Sequence, residues 1–270
     1  MKKQDSAIKH KLGIIHSSFD SMHTIGEQFI SDCGLSYIIS GSIKVVSGAG
    51  FKVFDEGECI FYRKNFLARF TKQPAANGIF QSVTVVFDQD SLLKHYRNSD
   101  LQIRPATEEH DAVCKVETSQ LIENYFTTLI PFFNTILPEQ LAVIKKQEAI
   151  LLLLETMPEL KETLFNFTQP GKIDLEPFMQ KNFQFNIDLA KWAFLTGRSL
   201  AAFKRDFQAQ FHTSPGKWLH QRRLEEAYYL ITEKNMRPTD VYQAVGFETI
   251  AHFSYSFKKY FGKNASEINQ

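Results

Sequence analysis

The chain is predicted to be an α+β protein, with a β-rich first part and an all-helical last hundred residues. Three observations predict it. Short β-rich runs broken by glycine fill residues 35–88, helical spacing of apolar residues begins at Thr118, and the C-terminal part repeats itself at an offset of fifty residues. At 270 residues the chain has room for two compact domains.

Residues 36–47 (SYIISGSIKVVS) hold two β-rich runs around Gly41-Ser42, which reads as a hairpin turn. Residues 51–54, 58–62 and 81–87 continue the series, with Gly48, Gly50, Gly57 and residues 74–78 as breaks. Short strands with regular turns predict a small barrel or sandwich. Residues 118–137 and 138–157 then show helical spacing. Leu121, Tyr125, Phe126 and Leu129 share one stripe, and Leu141, Ile144, Leu151 and Leu152 another. The second helix is apolar over too much of its circumference for a surface helix, so it should pack on both sides, within its domain or against a second subunit. Gln169-Pro170-Gly171 marks a linker over 166–174, dividing domains at 1–165 and 175–270.

The repeat sets Leu200, Ala201, Phe203, Phe207 and Phe211 against Ile250, Ala251, Phe253, Phe257 and Phe261. Phenylalanines four apart fall on one helix face and leave an outward polar face. Each helix follows a shorter one and a tight turn. Thr196-Gly197-Arg198-Ser199 serves the first, with Ser199 as cap; Gly246-Phe247-Glu248-Thr249 serves the second, with Thr249 as cap. Two helix-turn-helix units are predicted, over about 186–211 and 238–261. A helix over 215–233 joins them. At ~1.5 Å per residue it is roughly 28 Å long, near the ~34 Å between successive major-groove faces of B-DNA.

Composition narrows the function. Apolar residues make up 43% and charged residues 23%, ordinary for a soluble globular protein. No apolar run approaches the ~20 residues of a membrane span, and no signal core follows Met1-Lys2-Lys3-Gln4-Asp5. No membrane partner is expected. Three widely spaced cysteines (Cys33, Cys59, Cys114) argue against a disulfide framework or zinc site and fit a cytoplasmic protein. From Gly171 onward 14 of the 31 basic residues face 10 of the 30 acidic ones, leaving 17 against 20 before it. That permits nucleic acid without demanding it. The N-terminal histidines His10, His16, His23, His95 and His110 form no His-x-His pair, and none lies within 35–88. With no nucleophile elbow, P-loop or dinucleotide fingerprint either, no catalysis, metal or cofactor is expected.

The candidate DNA-binding residues are Arg198, Ser199, Ala201, Lys204 and Arg205 in the first unit. In the second they are Thr249, Ile250, His252, Ser254, Tyr255, Lys258 and Lys259. Early positions of a recognition helix reach base edges, and long donors such as Lys204 and Arg205 can read guanine. Lys258 and Lys259 suit phosphate. A solvated basic face, or an internal ion pair at Arg205, is the plainer alternative. Arg223 is expected to be structural and Arg222 to touch phosphate. Phe51, Phe54, Phe61, Phe66, Phe70, Phe80, Phe165 and Phe167 could line an effector pocket, though ordinary core is the simpler assignment.

Over about 188–268 the sequence resembles the AraC/XylS family of bacterial transcription regulators. The matching residues include Leu189-Ala190, Ser199, Phe203, Arg205, Phe207, Ser214-Pro215, Leu219, Arg223-Leu224, Ala227, Leu230, Val245-Gly246-Phe247, Phe253, Phe257-Lys258-Lys259 and Phe261-Gly262. His212, Tyr242, Ala251, Tyr255 and Ala265 depart from the family pattern, where Gly, a small residue, Ser, Arg and Pro are usual. The resemblance implies a transcription regulator, an activator rather than a repressor, that inserts two recognition helices into adjacent major grooves of double-stranded DNA. It also implies a cupin-like N-terminal barrel with a helical dimerisation hairpin, and residues 54–61 look like a turn of that barrel. A homodimer, a small-molecule effector and a contact with RNA polymerase are the further partners it suggests. Two other readings compete: an interaction module whose helix-turn-helix units have lost DNA binding, resting on Ala251 and Tyr255, and a cupin enzyme.

Overall fold

The computed structural model describes residues 7–26, 28–76, 78–98 and 111–268. Met1 to Asp5 and His110, which entered the reasoning above, lie outside the described residues. The chain divides into two compact units, residues 1–168 and 169–270.

The first unit begins with β1 (Ala7–Lys11), β2 (Ile14–Phe19), β3 (His23–Thr24), β4 (Phe29–Ile30), β5 (Cys33–Ser40) and β6 (Ser42–Ser47). It continues through β7 (Gly50–Phe54), β8 (Cys59–Tyr62), β9 (Phe66–Gln73) and β10 (Phe80–Phe87), then α1 (Gln89–Arg97) and β11 (Val113–Val116). α2 (Gln120–Leu129), a 3-10 turn at Ile130–Phe133, α3 (Glu139–Thr156), a second 3-10 turn at Pro158–Leu160 and α4 (Lys161–Leu164) complete it. One sheet runs β1-β2-β10-β5-β8-β11 and the other β3-β9-β6-β7, with β4 also on β9. Neither strand order returns to its start, so among the described residues the sheets stay open where a closed barrel was expected.

The six-stranded sheet is buried on both faces. Ile38, Ile60 and Phe80 pack against Ile43, Val45 and Phe70 of the second sheet. Leu35, Phe61, Val83 and Val85, of opposite parity, pack against Leu92, Tyr125, Phe126, Ala149 and Leu153 of the helices. Two buried faces explain why β8 reads as an unbroken apolar run, CIFY, rather than an alternating one. The second sheet ends at an edge, β7, whose Phe51 and Val53 are exposed.

Three expectations are corrected. Gly41 does not close a hairpin: β5 and β6 belong to different sheets, and the left-handed φ of 83° lets the chain turn the corner beside the Gln73 carbonyl. The hairpin lies one strand later, where Ser47 pairs with Gly50 between β6 and β7. α2 stops at Leu129 instead of running to 137, because Pro131 cannot supply the N–H that continues an α-helix. The strand region also extends well upstream of 35, and β11 was not foreseen.

Phe165 is buried in the first unit and Phe167 packs partly against the same core. Phe54, Phe61, Phe70 and Phe80 are likewise core residues, whereas Phe51 is 68% exposed and faces outward.

The second unit holds α5 (Leu175–Asn182), α6 (Leu189–Leu195), α7 (Leu200–Phe211), α8 (Pro215–Thr232), α9 (Pro238–Ala244) and α10 (Ile250–Phe261), closed by a 3-10 turn at Ala265–Glu267. The near-repeat is visible as packing. Phe203 and Phe207 are fully buried, as are Phe253 and Phe257, while Phe211 and Phe261 sit half-buried at the helix ends. Phe207 stacks on Phe211 at 4.2 Å and meets Trp218 edge-on at 5.8 Å. Phe257 meets Phe261 at 4.7 Å, and Tyr228 of α8 covers Phe261 at 4.9 Å. α8 is thus the common support of α7 and α10.

Candidate nucleic-acid interface

Each recognition helix starts from a side-chain cap. Ser199 Oγ accepts the Ala202 N–H at 3.3 Å, and Thr249 Oγ1 accepts the His252 N–H at 3.2 Å. The preceding turns need glycine for conformation and for space. Gly197 has φ 66°, and a Cβ there would fall 2.3 Å from the Gly171 carbonyl; Gly246 has φ 95°, and its Cβ would fall 2.6 Å from the Gln184 oxygen. The two turns thereby fix where α7 and α10 emerge.

The outer faces differ. On α7, Ser199, Ala201, Lys204 and Arg205 are exposed, and Gln208, one turn beyond Lys204, joins them. Gln208 was missed from sequence, although the offset of fifty pairs it with Lys258. On α10, Thr249, Ile250, Ala251, His252, Ser254, Tyr255, Lys258 and Lys259 are exposed, and the Lys259 ammonium lies 5.9 Å from the Tyr255 ring centre. Lys204 is free to extend from the helix. Arg205 touches Asp206 at 3.3 Å yet remains 77% exposed, so that ion pair does not bury it.

Arg198, a candidate contact, does not share this exposed face. Its side chain is only 8% exposed, bonds Asp206 at 3.1 Å, and donates to the Thr196 and Ile173 carbonyls at 2.6 and 2.9 Å. Arg198 also holds the Asp206 carboxyl below the usual carboxylate range. It is a brace between the turn and α7. Arg222 lies over the Phe183 ring at 4.5 Å and pairs with Glu226 at 3.2 Å. Arg223 donates to the carbonyls of Phe183 and Phe185, each at 2.8 Å, and of Gly246 at 3.2 Å. It ties the segment after α5 to the second turn. Among the described residues no cluster of three His, Cys, Asp or Glu could hold a metal, and no helix is long and apolar enough to cross a membrane.

Residues 192–270 match the helix-turn-helix domain family, and residues 34–165 match the ExsA N-terminal regulatory domain family. The virulence regulon transcriptional activator VirF of Yersinia enterocolitica is 30% identical over 93 residues, 34% of this chain and 34% of VirF. The regulator ExsA of Pseudomonas aeruginosa is 28% identical over 96 residues, 36% of this chain and 34% of ExsA. These matches span about a third of the relatives' length. Among solved structures, an apo ToxT variant from Vibrio cholerae aligns over 94% of this chain and 96% of its own, at 17% identity and a TM-score of 0.43.

Proposed function

The chain belongs to the AraC/XylS family of transcription regulators, and we propose that it activates transcription by binding duplex DNA through α7 and α10 together. The carrying observation is the duplicated unit: two capped helices, each with its phenylalanine face buried and its donor face exposed, rest on one helix of 18 residues. At ~1.5 Å per residue α8 is roughly 27 Å long, which suits adjacent major grooves on one side of a duplex. Ser199, Ala201, Lys204, Arg205 and Gln208 would face the first groove. Thr249, Ile250, His252, Ser254 and Tyr255 would face the second, with Lys258 and Lys259 on phosphate.

The first unit is the regulatory half in this reading, with its two sheets in the role of the cupin-like sensor and α2 and α3 as the dimer contact. Ile144 and Leu151 are 56% and 59% exposed on the side of α3 away from the buried Ala142 and Ala149, which supports a second copy there. A small-molecule effector and a contact with RNA polymerase follow from the family alone.

The test is selection of bound sequences from randomised duplex by the full chain, followed by mobility shifts across a salt series. Two conserved blocks about ten base pairs apart are expected, with affinity falling steeply in salt. No enrichment even at low salt would refute the reading.

A further inference from the structure

The two units are built alike, yet their turns are held differently. In the first, Arg198 and Asp206 form the brace; fifty residues on, those positions are Glu248 and the buried Ser256, which cannot form it. Three rings meet there instead. His220 of α8 stacks with His252 at a centroid distance of 6.1 Å and 27° between planes. Both imidazoles stand edge-on to the buried Phe247, at 5.8 and 5.4 Å. The residue matching His252 in the first unit is Ala202, so that unit has no such cluster.

His252 occupies the first turn of α10, where its backbone N–H is capped and its side chain is exposed. Behind it, His220 is half-buried. Burial first, and then the charges of His252, Arg223 and Lys259, hold His220 below the usual imidazole range. The charged neighbours are therefore cationic on both α8 and α10. Glu248, the acid in the turn, accepts a hydrogen bond from Asn186 at 2.7 Å. An anion seated against this stacked pair, among cationic neighbours, would favour the charged form of an imidazole there. A DNA phosphate at the N-terminus of α10 is such an anion.

We infer that His220 is a positioning residue for His252, and that the pair takes up a proton when duplex DNA seats on α10, so that affinity rises as pH falls. The inference rests on the DNA-binding reading above. Its sign follows from linkage. If the bound pair holds its proton more tightly than the free pair, affinity grows as pH falls through the bound-state pKa and levels off below the free-state value.

The experiment measures full-chain affinity, by fluorescence anisotropy on the duplex enriched from the randomised pool, between about pH 5.8 and 8.2. Wild type is expected to bind about three- to tenfold more tightly near pH 6 than near pH 8. His252→Ala should flatten that profile. His220→Gln frees His252 from its neighbour, so it should move the midpoint to higher pH and broaden base preference in the second block. A flat wild-type profile, or variants that keep both the wild-type profile and motif, overturns the inference. Imidazole titration of the free chain by NMR separates this from the underlying reading. A chain that binds no duplex refutes DNA binding, while a His220 resonance unmoved by His252→Ala refutes the pairing itself.

Discussion

α7 ends on His212 at a left-handed φ of 55°, and α10 ends fifty residues later on Gly262 at 76°. The second helix uses the residue that tolerates this conformation, while the first pays roughly 1 kcal/mol for a side chain there. His212→Gly is expected to raise stability by ~0.5–1 kcal/mol, read as a higher thermal midpoint of the second unit; an unchanged or lower midpoint would show another role for the imidazole. Lys204 and Arg198 separate in the same residue-level way. Lys204→Ala should relax base preference at one or two positions at a cost of ~1–3 kcal/mol, whereas Arg198→Ala should destabilise the unit and leave the selected motif intact. A motif altered by Arg198→Ala would reverse that assignment. In the first unit, Lys72 is 7% exposed, donates to Ser17 Oγ at 2.7 Å, and lies 5.6 and 5.4 Å from the Phe19 and Phe80 ring centres. Burial pushes its amine down to about 8. The unfolded chain then holds this proton more tightly than the folded one, so stability should climb between about pH 8 and the ordinary lysine value near 10.4. Lys72→Met should remove that rise in denaturant titrations, and a rise that survives the substitution would assign it elsewhere.

At the level of elements, the second turn is the most constrained point of the helical unit. Gly246 combines φ 95° with a Cβ position 2.6 Å from the Gln184 oxygen and 3.0 Å from Arg223 Nε, and its own carbonyl accepts from Arg223. Gly246→Ala would force apart the turn and the Arg223 bonds, a loss on the order of 2–4 kcal/mol. A thermal midpoint lowered by roughly 10–30 °C is expected in circular dichroism, and a midpoint within a few degrees of wild type would be inconsistent with that packing. These helices were legible because their signals are local: phenylalanine spacing, cap residues and turn glycines stand within a dozen positions of one another. The braces were not. Asp206, the partner of Arg198, is local in number, but nothing in its type distinguishes it from a solvated acid. Asn186 and Glu248 lie 62 positions apart. In the first unit, strands in unlike sheets follow directly in sequence, so Gly41 carried a turn signal but no sign that the turn changes sheets. Gln208 was overlooked because glutamine advertises no charge, although the repeat places it opposite Lys258.

On the scale of the whole molecule, the surface of α3 bears on whether copies of the chain combine. Ala142 and Ala149, seven apart and buried, face the sheet; Ile144 and Leu151, also seven apart and exposed, face away. Two turns of helix with apolar residues on both sides fit neither a surface helix nor one wholly inside a domain. Leu121 of α2, expected on the core stripe, is 65% exposed, and Ile122 takes the buried place instead. If this surface joins two copies, the full chain should sediment as a dimer at micromolar concentration. Ile144→Glu with Leu151→Glu should give a monomer, and because neither residue contributes to the core, its thermal midpoint should stay within a few degrees of wild type. Ile150→Ala is the contrast: it removes a fully buried side chain and should cost ~2–5 kcal/mol without acting on assembly first. If each chain binds DNA through both α7 and α10, the monomeric variant should still bind one isolated site while losing the added affinity for two sites in tandem. Wild type sedimenting as a monomer, or a double variant that binds tandem sites as well as wild type does, would return the α3 surface to the domain's own packing.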